Sequence, residues 1–524
     1  MSGLNFGDLL EAVAAEIPDA PAIVHGEGVR DWRSFDARTN RLARYLLGAG
    51  LAAGARVAFY LRNGPAYPEL LAACFKARLV HVNVNYRYLG AELRYLLEDS
   101  DAEAVVYDAE FEARIGDLAD TLPGVRTWIR NGAGRDDAVD PLERICAEGD
   151  AAPLGIERSG DDLYFMYTGG TTGHPKGVMW SHAARIEVIG MASAASADAH
   201  ARAVATGSRR PVTLPACPMM HSTGFTTAVA TLVAGGTVVL VPGRGFDAEA
   251  TLDAIDRHRV TSLAIVGDAF SVPLLEVLRA QRGARDLTSV TAITSAGAMW
   301  SAECKRELLE HFPNATIRDS LGSSEGSRLA GAELRAGEAS ETARFRLSPH
   351  AKVFDEAFRE VEPGSGVPGR IATRGAIPLG YHKDPERTAE TFPVIDGERW
   401  SMPGDWCTVE ADGTIRLLGR GSLCINTGGE KVWPEEVEEA LKTHPAVVDA
   451  AVFGLPDPRW GQAVAALVRA PGAVHQAELR EALDAVLARY KHPKTIRCTT
   501  ASFRADNGKM DYGRAKALYG EGGA

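Results

Sequence analysis

Between residues 163 and 181 the chain runs apolar, then rich in glycine and threonine, then apolar again. Leu163-Tyr164-Phe165-Met166-Tyr167 leads into Thr168-Gly169-Gly170-Thr171-Thr172-Gly173-His174-Pro175-Lys176-Gly177, and Val178-Met179-Trp180 follows. Two such runs around a glycine-rich centre predict a strand–loop–strand. Its four glycines let a backbone approach a ligand closely. Its N–H groups and hydroxyls can face a polyanion, and Lys176 adds a point charge suited to phosphate. The spacing does not fit G-x-x-x-x-G-K-[ST], because glycine follows the lysine. Taken alone, the same residues also suit an ordinary hairpin turn.

A chain of 524 residues exceeds one ordinary core, so two or more domains are expected. Its first ~400 residues alternate short apolar runs with helical patterns, the mark of an α/β domain. Val57 to Leu61, Ala104 to Tyr107, Thr237 to Val241 and Ser262 to Val266 are such runs. The Ala-rich stretch from Ala192 to Arg202 predicts an exposed helix. Gly364-Ser365-Gly366-Val367-Pro368-Gly369 matches G-x-G-x-x-G but precedes a strand-like run and follows none, so it predicts a turn.

The pattern changes near Arg420. Ile415 to Leu418 predicts a strand that Gly419-Arg420-Gly421-Ser422 breaks. A small α+β pattern follows. Pro434 to His444 carries proline and acids in its first turn and Lys442 and His444 in its last, which are helix start and stop signals. Leu479, Leu483, Val486, Leu487 and Tyr490 share one face of a second predicted helix. The expected architecture is a large α/β N-terminal domain of several subdomains, residues 1–420, and a small mobile α+β domain, residues 421–524.

The net charge of −12 argues against nucleic acid or an anionic membrane as the main partner. The seven cysteines form no C-x-x-C pair, so neither a zinc site nor a disulfide framework is expected. The first residues lack a basic segment, and the apolar stretch Ala228 to Val241 is too short and glycine-broken to span a bilayer. The expected location is cytoplasmic, with no integral membrane segment.

The decamer at 168–177 resembles the phosphate loop of the adenylate-forming superfamily: acyl-CoA synthetases, aryl-CoA ligases, luciferases and peptide-synthetase adenylation domains. Further segments match that family in order. Pro218-Met219-Met220-His221 resembles the motif whose His borders the acyl pocket. Thr294-Ser295-Ala296-Gly297-Ala298 resembles the strand-end loop on the adenine face. Asp319-Ser320-Leu321-Gly322-Ser323-Ser324-Glu325 is similar to Tyr-Gly-x-Thr-Glu, with Leu321 where the family stacks Tyr on adenine and Ser324 in place of Thr. Trp400-Ser401-Met402-Pro403-Gly404-Asp405 resembles Trp-x-x-Thr-Gly-Asp. Gly419 to Ser422 and Thr427-Gly428-Gly429-Glu430-Lys431-Val432 resemble the hinge and the loop after it, and Asn507-Gly508-Lys509 the segment with the catalytic lysine. Details such as Ile377-Pro378-Leu379-Gly380-Tyr381 resemble a bacterial branch that includes long-chain and steroid-side-chain acyl-CoA synthetases.

The resemblance implies roles. Thr168, Gly169, Gly170, Thr171, Thr172, Gly173 and Lys176 would hold the phosphates of ATP. Gly297, Asp319, Ser320, Leu321, Gly322 and Ser324 would meet the nucleotide. Asp405 and Arg420 would contact ribose or phosphate, and Gly428 and Gly429 would close over the pantetheine of CoA. Glu325, with Thr168, would hold Mg²⁺, a hard cation that prefers oxygen ligands. His221 would line the acid pocket with Ser222 to Phe225 and Gly326-Ser327. Lys509 would stabilise charge as a carboxylate meets the α-phosphate, then leave as the small domain turns about Ser422. The resemblance also implies a homodimer. The function expected is an acid–CoA ligase using ATP and Mg²⁺. The alternatives are an adenylating enzyme that does without CoA, such as a diazotase activating nitrite, and a non-catalytic nucleotide-binding protein.

Overall fold

In a computed structural model the described residues are 3–134, 139–168, 175–190, 195–298, 300–339, 341–423, 425–427, 430–457, 461–472, 474–484, 487, 489–505 and 508–521. They build a mixed α/β fold with a large N-terminal part and a smaller C-terminal one. Three sheets organise it, of 15, 7 and 5 strands among the described residues. The four apolar runs become the strands Arg56–Tyr60, Ala102–Asp108, Thr237–Leu240 and Ser262–Ile265. Each pairs in parallel with its neighbours. Strands covered on both faces need no polar alternation, which is why these runs are continuous.

The 7-stranded sheet contains the hairpin that the decamer predicts. Leu163–Thr168 and Lys176–Ser181 pair antiparallel, from Leu163 opposite Ser181 to Thr168 opposite Lys176. In the 15-stranded sheet, Ala292–Ala296 and Thr316–Leu321 lie parallel, and the antiparallel strands Asp405–Val409 and Thr414–Arg420 extend it. Sheet membership changes after Arg420. A short 3₁₀ turn, Gly421–Leu423, leads to Ile425–Thr427, the first strand of the 5-stranded sheet.

Pro434–Lys442 forms the helix its end signals predict, with the proline in its first turn. Leu479 and Leu483 are buried on one face of the Gln476–Asp484 helix; the side chains of Val486 and Tyr490 lie outside the described residues. Of the Ala-rich stretch, residues 192–194 lie outside the described residues, and the expectation for the rest is corrected. Its helix is Ala197–Thr206, capped where the Ser196 hydroxyl accepts from the Ala199 N–H at 3.2 Å. It is not simply exposed: Ala201 is buried and His200 Nε2 meets the Val233 carbonyl at 2.7 Å. Gly364 and Gly366 take positive φ in a turn that enters the strand Gly369–Arg374, as the glycine pattern predicts. No helix among the described residues is long and apolar enough to cross a membrane.

Candidate active site

Asn83 fixes the base of the decamer. It is 3% exposed. Its Oδ1 accepts from the Tyr167 N–H at 2.6 Å, and its Nδ2 donates to the carbonyls of Tyr167 and Met220 at 2.9 and 2.7 Å. One buried amide therefore ties the hairpin to the residue before His221. Gly177 is required at the far side: a Cβ there would lie 2.7 Å from the Tyr167 ring. Gly169, Gly170, Thr171, Thr172 and Gly173 lie outside the described residues. Thr168 and Lys176 are half-buried at the strand ends.

Lys176 reaches across to the segment after Gly380–Tyr381, which pairs with the hairpin's second strand. Its Nζ is 2.5 Å from Asp384 Oδ2 and 5.8 Å from the centre of the Tyr381 ring. The lysine holds the Asp384 carboxyl below its ordinary value, first through the hydrogen bond between them. The Tyr381 hydroxyl donates to Glu325 Oε1 at 2.9 Å. Lys176, Tyr381 and Glu325 thus share one edge of the site.

The loop after Thr316–Leu321 is held from three sides. Trp180 Nε1 donates to the Ser324 carbonyl at 2.8 Å. The Ser401 hydroxyl donates to the Glu325 carbonyl at 2.6 Å. The Ser323 hydroxyl accepts from the N–H groups of Glu325 and Gly326 at 3.2 and 3.0 Å. Glu325 is left half-buried with its carboxylate on the Tyr381 side. Gly322 and Ser324 lie in this same loop, and Ser320 is half-buried at the strand end.

Two side chains differ from expectation. Asp319 is buried and pairs with Lys305 Nζ at 2.5 Å. Burial raises its carboxyl and Lys305 counters that. The pair faces the core because strand alternation puts Asp319 on the same side as Ile317. Leu321 packs against the cluster of Leu329, Phe345 and Ile415, so part of its surface is taken by that core.

The end of Ala292–Ala296 is one place where the two parts of the chain meet. Gly297 has φ +94°. The site of a Cβ on it would be 3.8 Å from Lys509 Cε and 3.9 Å from Thr223 Oγ1. Thr223 belongs to the helix Ser222–Val233, which His221 caps. His221 is brought close enough for the Lys509 charge to act on it. Burial, with Lys509 and Arg87 adding to it, pushes its imidazole down to about 3. That shift favours the neutral imidazole.

The turn carrying Lys509 is itself braced. Arg504 grips Asp449 through two bonds of 2.6 and 2.8 Å, and its third nitrogen donates to the Gly508 carbonyl at 2.9 Å. Ala505 N–H donates to the Lys509 carbonyl at 2.9 Å.

Asp405 is buried at the start of its strand, in register with Arg420. The Arg420 side chain, and Gly428 and Gly429 entirely, lie outside the described residues. Nearby, the rings of Trp406 and Trp433 lie 5.5 Å apart across the change of sheet.

The sites of Thr168, Lys176, Glu325, Gly297, His221 and Lys509 are thus connected through residues of distant sequence. That arrangement joins a phosphate-type hairpin, one carboxylate and a cation brought from the C-terminal part. Residues 10–382 match the AMP-binding enzyme family model, and residues 436–509 the AMP-binding enzyme C-terminal domain. The chain belongs to the AMP-binding enzyme family. This AMP-binding enzyme is 39% identical, over 98% of its length and 96% of the other's, to the medium/long-chain-fatty-acid–CoA/3-oxocholest-4-en-26-oate–CoA ligase of Mycobacterium marinum. It is 36% identical, over 98% and 95%, to the 3-oxocholest-4-en-26-oate–CoA ligase of Rhodococcus rhodochrous. Its fold matches that of anthranilate CoA ligase in complex with anthranoyl-AMP at a TM-score of 0.84, covering 99% and 98% of the two chains at 21% identity.

The sequence pattern does not single out Asn83, Asp384 or Arg504, and Tyr381 stands in it only as a mark of the bacterial branch. Asp384 left a readable signal, since an Asp before Pro385 is a helix start; its carboxylate caps Pro385–Thr391. The others are single polar residues whose partners lie far away in sequence.

Proposed function

We propose that this AMP-binding enzyme is an ATP-dependent acid–CoA ligase. A carboxylate oxygen attacks the α-phosphorus of ATP, and the bond to pyrophosphate breaks. The thiolate of CoA then attacks the acyl carbonyl, and the bond to AMP breaks. The observation that carries the reading is Lys509 at Gly297, beside Thr223, on the helix that follows His221.

Two anions must meet in the first step, so a fixed cation between them lowers the barrier. Lys509 supplies it. Neutral His221 walls the acid site without competing for the carboxylate. Thr168, Lys176 and the loop between them hold the leaving pyrophosphate. Among the described residues no group of three or more His, Cys, Asp or Glu could hold a metal alone. A single carboxylate, Glu325, together with the Thr168 hydroxyl, fits Mg²⁺ that takes its other ligands from phosphates and water. When bound, Mg²⁺ neutralises phosphate charge. Asp405 accepts from the ribose hydroxyls, and Arg420 contacts ribose or phosphate.

Lys509 must withdraw to admit the thiol. The boundary at 420/421 and the 3₁₀ turn around Ser422 supply the pivot, and Gly428 and Gly429 belong to the loop that would close over the pantetheine. The CoA acceptor rests on the named ligases among the relatives, and no observation favours nitrite.

The test uses Lys509→Ala. ATP–pyrophosphate exchange with a turned-over acid is expected to fall by ~3 kcal/mol of barrier or more. Thioester formation from preformed acyl-adenylate is expected to persist. Undiminished exchange would overturn the assignment.

A further inference from the structure

Arg185 is a buried cation whose hydrogen bonds among the described residues go to neutral groups. Its residue is 2% exposed, in the helix His182–Ile189. Its guanidinium donates to the hydroxyls of Ser327 and Thr226 and stacks over the Trp180 ring, 5.1 Å from the centre. Its Nε has no hydrogen-bond partner among the described residues. Among the described residues no carboxylate forms an ion pair with it, whereas the other deeply buried cations, Lys76, Arg158 and Lys305, each hold one. Burying a charge without a counter-charge is expensive. A bidentate anion is the partner a guanidinium fork fits best.

The position of this cation is informative. Thr226 lies one helical turn beyond Thr223 on Ser222–Val233, and the two share its half-exposed stripe. Thr223 is the residue beside Gly297 and Lys509. The rise between them is about 4.5 Å. On the other side, Ser327 is two residues past Glu325. The guanidinium thus bridges the helix that carries Thr223 and the loop that carries Glu325, the two segments that the family resemblance expects to line the acid pocket.

We infer that Arg185 is a specificity residue that receives a second carboxylate of the acid, so that the preferred substrate is a short dicarboxylic acid. The inference rests on the ligase reading above. Its chemistry is unchanged from that reading: one carboxylate is adenylated, and the other stays ionised on Arg185.

The experiment measures pyrophosphate release and CoA thioester with short dicarboxylic acids and length-matched monocarboxylic acids, using the full chain. The wild type is expected to favour the diacid in kcat/KM. Arg185→Met keeps the stem that packs on Trp180 and removes the charge. It is expected to lose on the order of a hundredfold on the diacid, as a site built to bond a polar group does when that bond is absent, while gaining on the monoacid and keeping its KM for ATP. Arg185→Lys should retain part of the diacid preference. A wild type that prefers the monoacid overturns the inference whatever the variants do. Equal loss on both acids in Arg185→Met also overturns it, because that is the signature of a structural brace. If neither acid class gives pyrophosphate or thioester, the ligase reading falls and this inference with it.

Discussion

Gly508 sits against Ala269. A Cβ added to the glycine would lie 2.7 Å from the Ala269 Cβ and 3.2 Å from the Val266 carbonyl oxygen. Gly508 belongs to the C-terminal turn that carries Lys509, and Ala269 to the helix Asp268–Ala280 of the large part. The turn's close approach is what brings the lysine to Gly297.

Gly508→Ala should therefore act as a docking variant. The residue has φ +81°, so a side chain adds about 1 kcal/mol of local strain and a contact too short to keep. Adenylation is expected to fall more than tenfold while thioester formation from preformed acyl-adenylate is retained. Single-turnover assays of each half-reaction check this; equal losses in both would mean the turn docks the same way throughout the cycle.

Arg504→Lys tests the brace behind Lys509. The substitution keeps a charge for buried Asp449 but loses the planar fork and the bond to the Gly508 carbonyl. ATP–pyrophosphate exchange should drop about tenfold or more, with only a modest shift in thermal midpoint. Exchange at the wild-type rate would show that the turn holds its shape without this bond.

Asp384→Asn tests the competition for Lys176. Each of this pair's side chains is about a third exposed, so the ion pair adds little stability. Removing the carboxylate charge frees the lysine for phosphate, and KM for ATP should fall a few-fold. Lys176→Met should raise it about tenfold. Initial rates against ATP concentration decide; a lower KM in the lysine variant would remove Lys176 from the phosphate site.

Glu438 gives a pH prediction. Burial, with Glu435 adding to it, pushes its carboxyl up to about 8, while its Oε1 accepts from Tyr512 and from the Val452 N–H. The folded state holds the proton more tightly than the unfolded one. Stability is therefore full below the ordinary carboxylate value and is lost as pH rises toward about 8. Glu438→Gln keeps the acceptor and removes the titration, so its melting midpoint should match wild type near pH 5 and exceed it near pH 9. Parallel profiles for the two proteins would contradict the prediction.

The α/β pattern was legible because continuous apolar runs are what doubly covered parallel strands require. The hairpin at 163–181, the helix at 434–442 and the turn at 364–369 were legible because glycine, proline and end charges act locally. The order of the family segments was legible for the same reason: each is a short stretch with its own chemistry. The Ala-rich stretch was read half rightly, because composition gives a helix but not which face another element will cover.

The sequence by itself determined the family, through short segments in the family's order, and with it the roles expected of the loop at 168–177, Glu325 and Lys509. The tertiary structure alone decided how these meet. It turned Asp319 toward Lys305, tied Lys176 to Asp384, and made Asn83 a link between two loops. It also buried Arg185 between Ser327, Thr226 and the Trp180 ring, with no carboxylate paired to it among the described residues. Those outcomes depend on contacts between residues tens to hundreds of positions apart. No local propensity encodes such contacts, and burial there raises the energetic stake of each polar partner.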